Sequence, residues 1–126
     1  MSYPENLKYT KEHEWIKIEG KKASIGVTKF AIHQLGDVVF LDLPKAGVNL
    51  KQNDAFGTIE STKTVSELYT PASCVVTEVN KEIVDNPENL ALDAYEKGWL
   101  IKVEISQEPT NLLSASEYEK YIAGQE

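Results

Sequence analysis

One side chain stands where its type and neighbours could do covalent chemistry. The stretch Thr58-Ile59-Glu60-Ser61-Thr62-Lys63-Thr64-Val65-Ser66-Glu67-Leu68-Tyr69 sets Lys63 among polar residues, between two runs that alternate apolar and polar positions. That pattern reads as two strands meeting at an exposed hairpin tip. Tight hairpins usually turn on Asn-Gly or Asp-Gly, so turn propensity alone does not account for a lysine there. An amine held out on a rigid β scaffold can be enclosed by a modifying enzyme, and a long acyl arm attached to it can then swing between partners. At its reference pKa of about 10.4 the amine is protonated, so acylation needs an activated donor and a modifying site that removes the proton. A Schiff-base lysine instead needs burial or cationic neighbours to lower its pKa, and this polar, glutamate-flanked setting offers neither. Against both stands the plain reading of a surface lysine, one of thirteen.

Other chemistry finds few residues. His13, His33 and Cys74 make up the whole set of histidines and cysteines, too few for a zinc site at standard spacing, so no metal is expected. No glycine-rich nucleotide loop, phosphate-binding loop or nucleophile elbow occurs. Cys74 lies in an apolar, strand-like context that suits an inert small hydrophobe. Glu12 and Glu14 flank His13 and could serve as acid and base, or equally as a solvated rim at a strand end. No catalytic residue is assigned.

Composition narrows the classes further. A chain of 126 residues, 41% hydrophobic, fits a single domain spanning 1–126. Its net charge of −7 argues against nucleic acid, and all thirteen cations are lysines, which removes arginine-type bidentate recognition. An acidic surface favours partners with basic docking faces. With one cysteine, no signal-like segment and no apolar run long enough for a bilayer, the expectation is a cytoplasmic protein with no membrane partner.

The elements that must position Lys63 are short strands. Alternation predicts strands at Glu14 to Ile18, Ala23 to Val27, Ala55 to Glu60, Thr64 to Tyr69, Val75 to Val79 and Trp99 to Ile105, with Glu19-Gly20-Lys21 turning the first hairpin. Val38 to Leu43 is almost continuously apolar and is expected as a central strand buried on both faces, stopped by Pro44. Thr28 caps a short helix over Lys29 to Leu35 that Gly36 ends. Ser114-Ala115-Ser116-Glu117 has capping-box spacing, and Ala115, Tyr118, Tyr121 and Ile122 form the stripe of a C-terminal helix packed on the sheets. Asn86 to Gly98 reads as a loop with a helical turn. About seven strands with little helix point to a small β sandwich or flattened barrel.

These residues together resemble the H-protein family of the glycine cleavage system. The resemblance runs from Leu7 to about Tyr121, through Lys8-Tyr9-Thr10, His13-Glu14-Trp15, Ile25-Gly26-Val27-Thr28, Leu35-Gly36-Asp37, Leu43-Pro44, Gly47, Glu60-Ser61-x-Lys63, Ser66, Tyr69-x-Pro71-x-Ser73, Glu78-Val79-Asn80 and Gly98-Trp99. It implies a hybrid barrel-sandwich of two antiparallel sheets, lipoyl/biotinyl-like, with a short connecting helix and a C-terminal helix. It implies lipoic acid in amide linkage on Lys63, and Glu60 and Gly47 as positions read by the lipoylating enzyme, a lipoyl/octanoyl transferase or lipoate ligase. The implied role is a non-catalytic carrier of the aminomethyl group of glycine. Its partners are then a pyridoxal-phosphate glycine decarboxylase (P protein), a tetrahydrofolate-dependent aminomethyltransferase (T protein) and dihydrolipoamide dehydrogenase (L protein). The cargo amine is expected to rest in an acidic cleft, with Glu14 the first candidate and Glu12 and Glu67 beside it.

The chain departs from the family at Cys74, where glycine is usual, at Thr62, and across Asn89 to Tyr95. A side chain at position 74 could alter local backbone geometry or lipoylation efficiency. Alternatives stay open at this point. One is an H-like protein serving mainly as lipoyl donor or relay to other complexes. Another is a biotinyl carrier, disfavoured because threonines rather than methionines flank Lys63; an unmodified interaction module and, weakest, a true enzyme complete the set.

Overall fold

The alternating runs pair into two antiparallel sheets in the computed structural model, which describes residues 3–124. The larger sheet has the order β1-β2-β3-β9-β8-β5, from Lys8–Tyr9 (β1), Glu14–Glu19 (β2), Lys22–Val27 (β3), Asn49–Leu50 (β5), Cys74–Val79 (β8) and Ile101–Ile105 (β9). The smaller has the order β4-β6-β7, from Val38–Asp42 (β4), Ala55–Ser61 (β6) and Val65–Tyr69 (β7). Their facing sides bury Ile16, Ile25, Val76, Ile101 and Val103 from one sheet against Leu41, Ile59 and Leu68 from the other. Each is an inward position of a period-two strand.

The helices fall where their caps place them. The Thr28 hydroxyl accepts from the Ala31 N–H to start α1 (Lys29–Leu35), and Gly36 ends it at φ 84°, a conformation that glycine adopts at little cost because it has no Cβ. α3 (Ala115–Ala123) opens on a complete capping box between Ser114 and Glu117. It seals a second cluster, in which Ala115, Tyr118 and Ile122 pack against Tyr9, Trp15 and Phe30. Tyr121 is only partly buried there.

Val38 to Leu43 is not a doubly buried central strand. β4 ends at Asp42 and forms one edge of the smaller sheet, with Val39 49% and Phe40 54% exposed. A register shift between Val38 and Phe40 leaves Val39 outside the ladder, and only Val38 and Leu41 of the strand face the core. A run that is apolar at successive positions looks alike in a central strand and in an edge whose outer face is also apolar.

The two-residue strands β1 and β5 were too short to show a period. α2 (Lys81–Asp85) is a single turn capped by Asn80, and its signal is that cap alone. β9 starts at Ile101 instead of Trp99, because the Trp99 carbonyl accepts from the Asn80 side-chain amide. The Asn86 to Gly98 loop contains a 3₁₀ turn at Pro87–Ala91.

Candidate functional site

Strand pairing brings Glu60 opposite Val65 and leaves Ser61, Thr62, Lys63 and Thr64 to close the β6–β7 hairpin. The Ser61 N–H donates to the Thr64 carbonyl at 2.8 Å. The Ser61 hydroxyl oxygen accepts from the N–H groups of Lys63 (3.1 Å) and Thr64 (3.2 Å). A serine-centred turn therefore does the work of Asn-Gly, and position 63 is released from turn-forming duty. The Thr62 N–H donates to the Asp37 carbonyl at 3.1 Å, pinning the tip to the chain that leaves α1.

Lys63 is exposed at this tip. Its stem lies over Gly36, where an added Cβ would stand 3.3 Å from Lys63 Cε and 3.6 Å from Nζ. Glycine thus serves twice at position 36, ending α1 and leaving room for the lysine. Beside it opens a cleft of about 360 Å³ lined by Gly36, Asp37, Val38, Val39, Glu88 and Ala91. An exposed primary amine with open space beside it and, among the described residues, no carboxylate bound to it fits covalent attachment of a long acyl group.

Glu60 lies on the strand leading into the tip, half-buried between Phe40 of β4 and Val65 of β7. Gly47 is not part of that row. The chain leaves β4 at Asp42, which pairs with Thr58 and not with the tip, before it reaches Gly47. There the Gly47 N–H donates to the Val76 carbonyl of the larger sheet at 2.7 Å. Its φ of 96° calls for glycine, although no neighbouring atom would meet a Cβ.

Of the three carboxylates named as cleft candidates, Glu14 and Glu67 bond to Tyr69 and Glu12 acts on it through its charge. Glu14, 1% exposed, reaches from β2 across to the outer edge of β7, where Oε2 accepts from the Tyr69 N–H at 3.2 Å. Its Oε1 accepts from the Thr10 hydroxyl at 2.7 Å. Burial raises its pKa from 4.5 to about 8, against the lowering effect of these two hydrogen bonds, and the Glu12 charge adds to the rise. Glu67 accepts from the Tyr69 hydroxyl at 2.8 Å, and Glu12 and Glu67 are both exposed. Glu14 is thus a buried carboxyl with two exposed carboxylates near it.

His13 is drawn away from Glu12 and Glu14. Its φ is 73°, and its Nδ1 lies 2.8 Å from the Tyr118 hydroxyl, which also meets the Thr28 hydroxyl at 2.8 Å. That network ties α3 to the start of α1 and to the β1–β2 turn, a structural arrangement. Cys74 is buried in an unbroken ladder, paired with Leu50 and Ile105, and the register shift in β8 comes later, between Val76 and Glu78. A side chain at position 74 leaves the local strand geometry regular, and burial pushes its thiol pKa up. Among the described residues no group of three histidine, cysteine or acidic side chains is set to hold a metal ion, and no helix is long and apolar enough to cross a membrane.

Sequence reasoning missed Ser61, Gly36 and Thr10 as parts of these sites. Serine at the end of a strand and two residues before the lysine was the available signal for Ser61. Gly36 showed only its helix-ending role, since its contact with Lys63 depends on how the hairpin docks.

Comparison with known proteins agrees with this architecture. The family model described as "Glycine cleavage H-protein" matches residues 7–125. A glycine cleavage system H protein of Thermosynechococcus vestitus is 47% identical, with 98% of each chain covered. One from a Cyanothece species is 51% identical, again over 98% of each chain. The crystal structure of a glycine cleavage system H protein from Mycobacterium marinum superposes with a TM-score of 0.88 at 42% identity, covering 98% of both chains.

Proposed function

Since the chain belongs to the glycine cleavage H-protein family, whose members carry lipoate in the glycine cleavage system and are not themselves catalysts, we propose that Lys63 is the residue that carries it. What supports this most is the exposed hairpin tip, on which Ser61 shapes the turn and leaves the Lys63 amine presented to a partner. Attachment forms a bond from Nζ to the lipoyl carbonyl of an activated donor, an acyl adenylate or thioester. The bond from that carbonyl to adenylate oxygen or thiol sulfur breaks, and Nζ gives up two of its three protons to the modifying enzyme's site and solvent, keeping one as the amide N–H. The product is an uncharged amide. Glu60 and Gly47 are the positions proposed for reading by the lipoyl/octanoyl transferase or lipoate ligase.

We infer that residues 1–126 act as one carrier domain, visiting in turn the glycine decarboxylase, the aminomethyltransferase and dihydrolipoamide dehydrogenase. When bound, the lipoyl group supplies a sulfur pair that takes up the aminomethyl group of glycine, gives it up, and is reoxidised. This chain's residues hold the cargo's amine. Exposed Glu12 and Glu67 attract its positive charge, and buried Glu14, proton-bound near neutral pH, releases its proton to solvent as a cation approaches.

The test is carbon exchange between bicarbonate and glycine by the decarboxylase, supplied with the lipoylated chain. Exchange is expected with the wild type and absent with Lys63→Ala. A fully lipoylated chain that supports no exchange would sink the glycine-cleavage role in favour of a lipoyl relay.

A further inference from the structure

The outer face of the smaller sheet carries apolar side chains that the core does not use. Phe40, Glu60 and Val65 form one row across β4, β6 and β7, and Asp42, Thr58 and Glu67 form the next, by the strand registers. Phe40 is 54% and Val65 59% exposed, and Val39, looped out at the register shift, is 49% exposed. Alternation along β4 and β6 turns Leu41 and Ile59 inward, so Phe40 and Val65 face solvent together. α1 and α3 pack elsewhere, α3 on β1, while the 3₁₀ turn at Pro87–Ala91 and α2 lie against β4, the turn beside Val38 and Val39; among the described residues Phe40 and Val65 nevertheless stay more than half exposed. Single exposed apolar residues are ordinary, but Phe40 and Val65 share one row of one face, and Val65 is two residues from Lys63, so the set is not scattered. The charged groups among these two rows are all acidic: Asp42, Glu60 and Glu67.

We propose that this face, with Phe40 and Val65 at its centre, is the docking surface for the enzyme that acylates Lys63, and that this enzyme meets it with an apolar patch rimmed by basic side chains. The inference rests on Lys63 as the attachment point and adds what surrounds it. An enzyme forming a bond to Nζ must close over the hairpin itself, and Val65 and Glu60 lie within three residues of Lys63 on either strand. Enzymes that act on the far end of the finished arm are held off by its length and need not cover the sheet. Apolar anchors desolvated at the centre supply affinity, and the acidic ring supplies orientation towards a basic partner. The face also gives a way to select one lysine among thirteen.

The experiment measures initial rates of lipoyl attachment by a purified lipoate-attaching enzyme with its activated donor, as a function of carrier concentration. The double variant Phe40→Ser/Val65→Ser is compared with wild type, with Lys63→Ala, and with Ile18→Ser, an exposed apolar site 40% accessible on the larger sheet. The KM for the carrier should rise about tenfold in the double variant, with kcat nearly unchanged and Ile18→Ser like wild type. An unchanged KM in the double variant, or an equal rise in Ile18→Ser, overturns the docking surface. Wild type that takes no adduct, or Lys63→Ala that keeps one, overturns instead the assignment of Lys63. Thermal midpoints verify folding, and Phe40→Thr/Val65→Thr, with residues suited to exposed strands, replaces the serine variant if that one melts early.

Discussion

Glu14 is the residue with the most to report through its charge. The folded chain holds its proton up to about pH 8, whereas the unfolded chain releases it near 4.5, so the folded state binds more protons between those values. Stability therefore falls as pH rises through that window, by up to a few kcal/mol, and the loss is complete above the folded pKa. Glu14→Gln keeps the neutral hydrogen-bonding pattern without the proton. Denaturant midpoints measured from pH 4.5 to 8.5 should decline in wild type and stay nearly flat in Glu14→Gln; parallel curves would contradict the burial argument. Lys63 and the acidic residues were legible at this scale because each carries its chemistry in its own type. The burial of Glu14 was not, since it arises from a hydrogen bond between sheets to Tyr69, fifty-five positions away.

At the scale of elements, the hairpin tip depends on a hydroxyl rather than on a turn-forming dipeptide. Ser61→Ala leaves the N–H groups of Lys63 and Thr64 without that acceptor and should cost about 1 kcal/mol, lost locally. Amide hydrogen exchange is expected to speed up at positions 63 and 64 while the β2–β3 pair is unaffected; unchanged exchange at the tip would show that Ser61 does not hold it. The strands of the β2–β3 and β6–β7 hairpins and the capped helices α1 and α3 could be read from the sequence, because alternation and caps are local. β4 could not. Its apolar run satisfies the core at Val38 and Leu41 and the outer face at Val39 and Phe40, and only the pairing order tells these two demands apart.

Across the whole molecule, two sheets and the C-terminal helix hold the β6–β7 tip at the surface, and the proposed chemistry is placed at that one exposed point. Thirteen lysines are dispersed through an acidic chain, so a carrier role requires one of them to be chosen. The fold class was readable from strand count and family motifs, whereas the docking of the tip against Asp37 and Gly36 needed the assembled structure. The direct test is the intact mass of the chain from a lipoate-replete source, beside that of Lys63→Arg. A single lipoyl adduct on the wild type and none on the variant is the predicted result; an unmodified wild type, or an adduct that survives in Lys63→Arg, would contradict it.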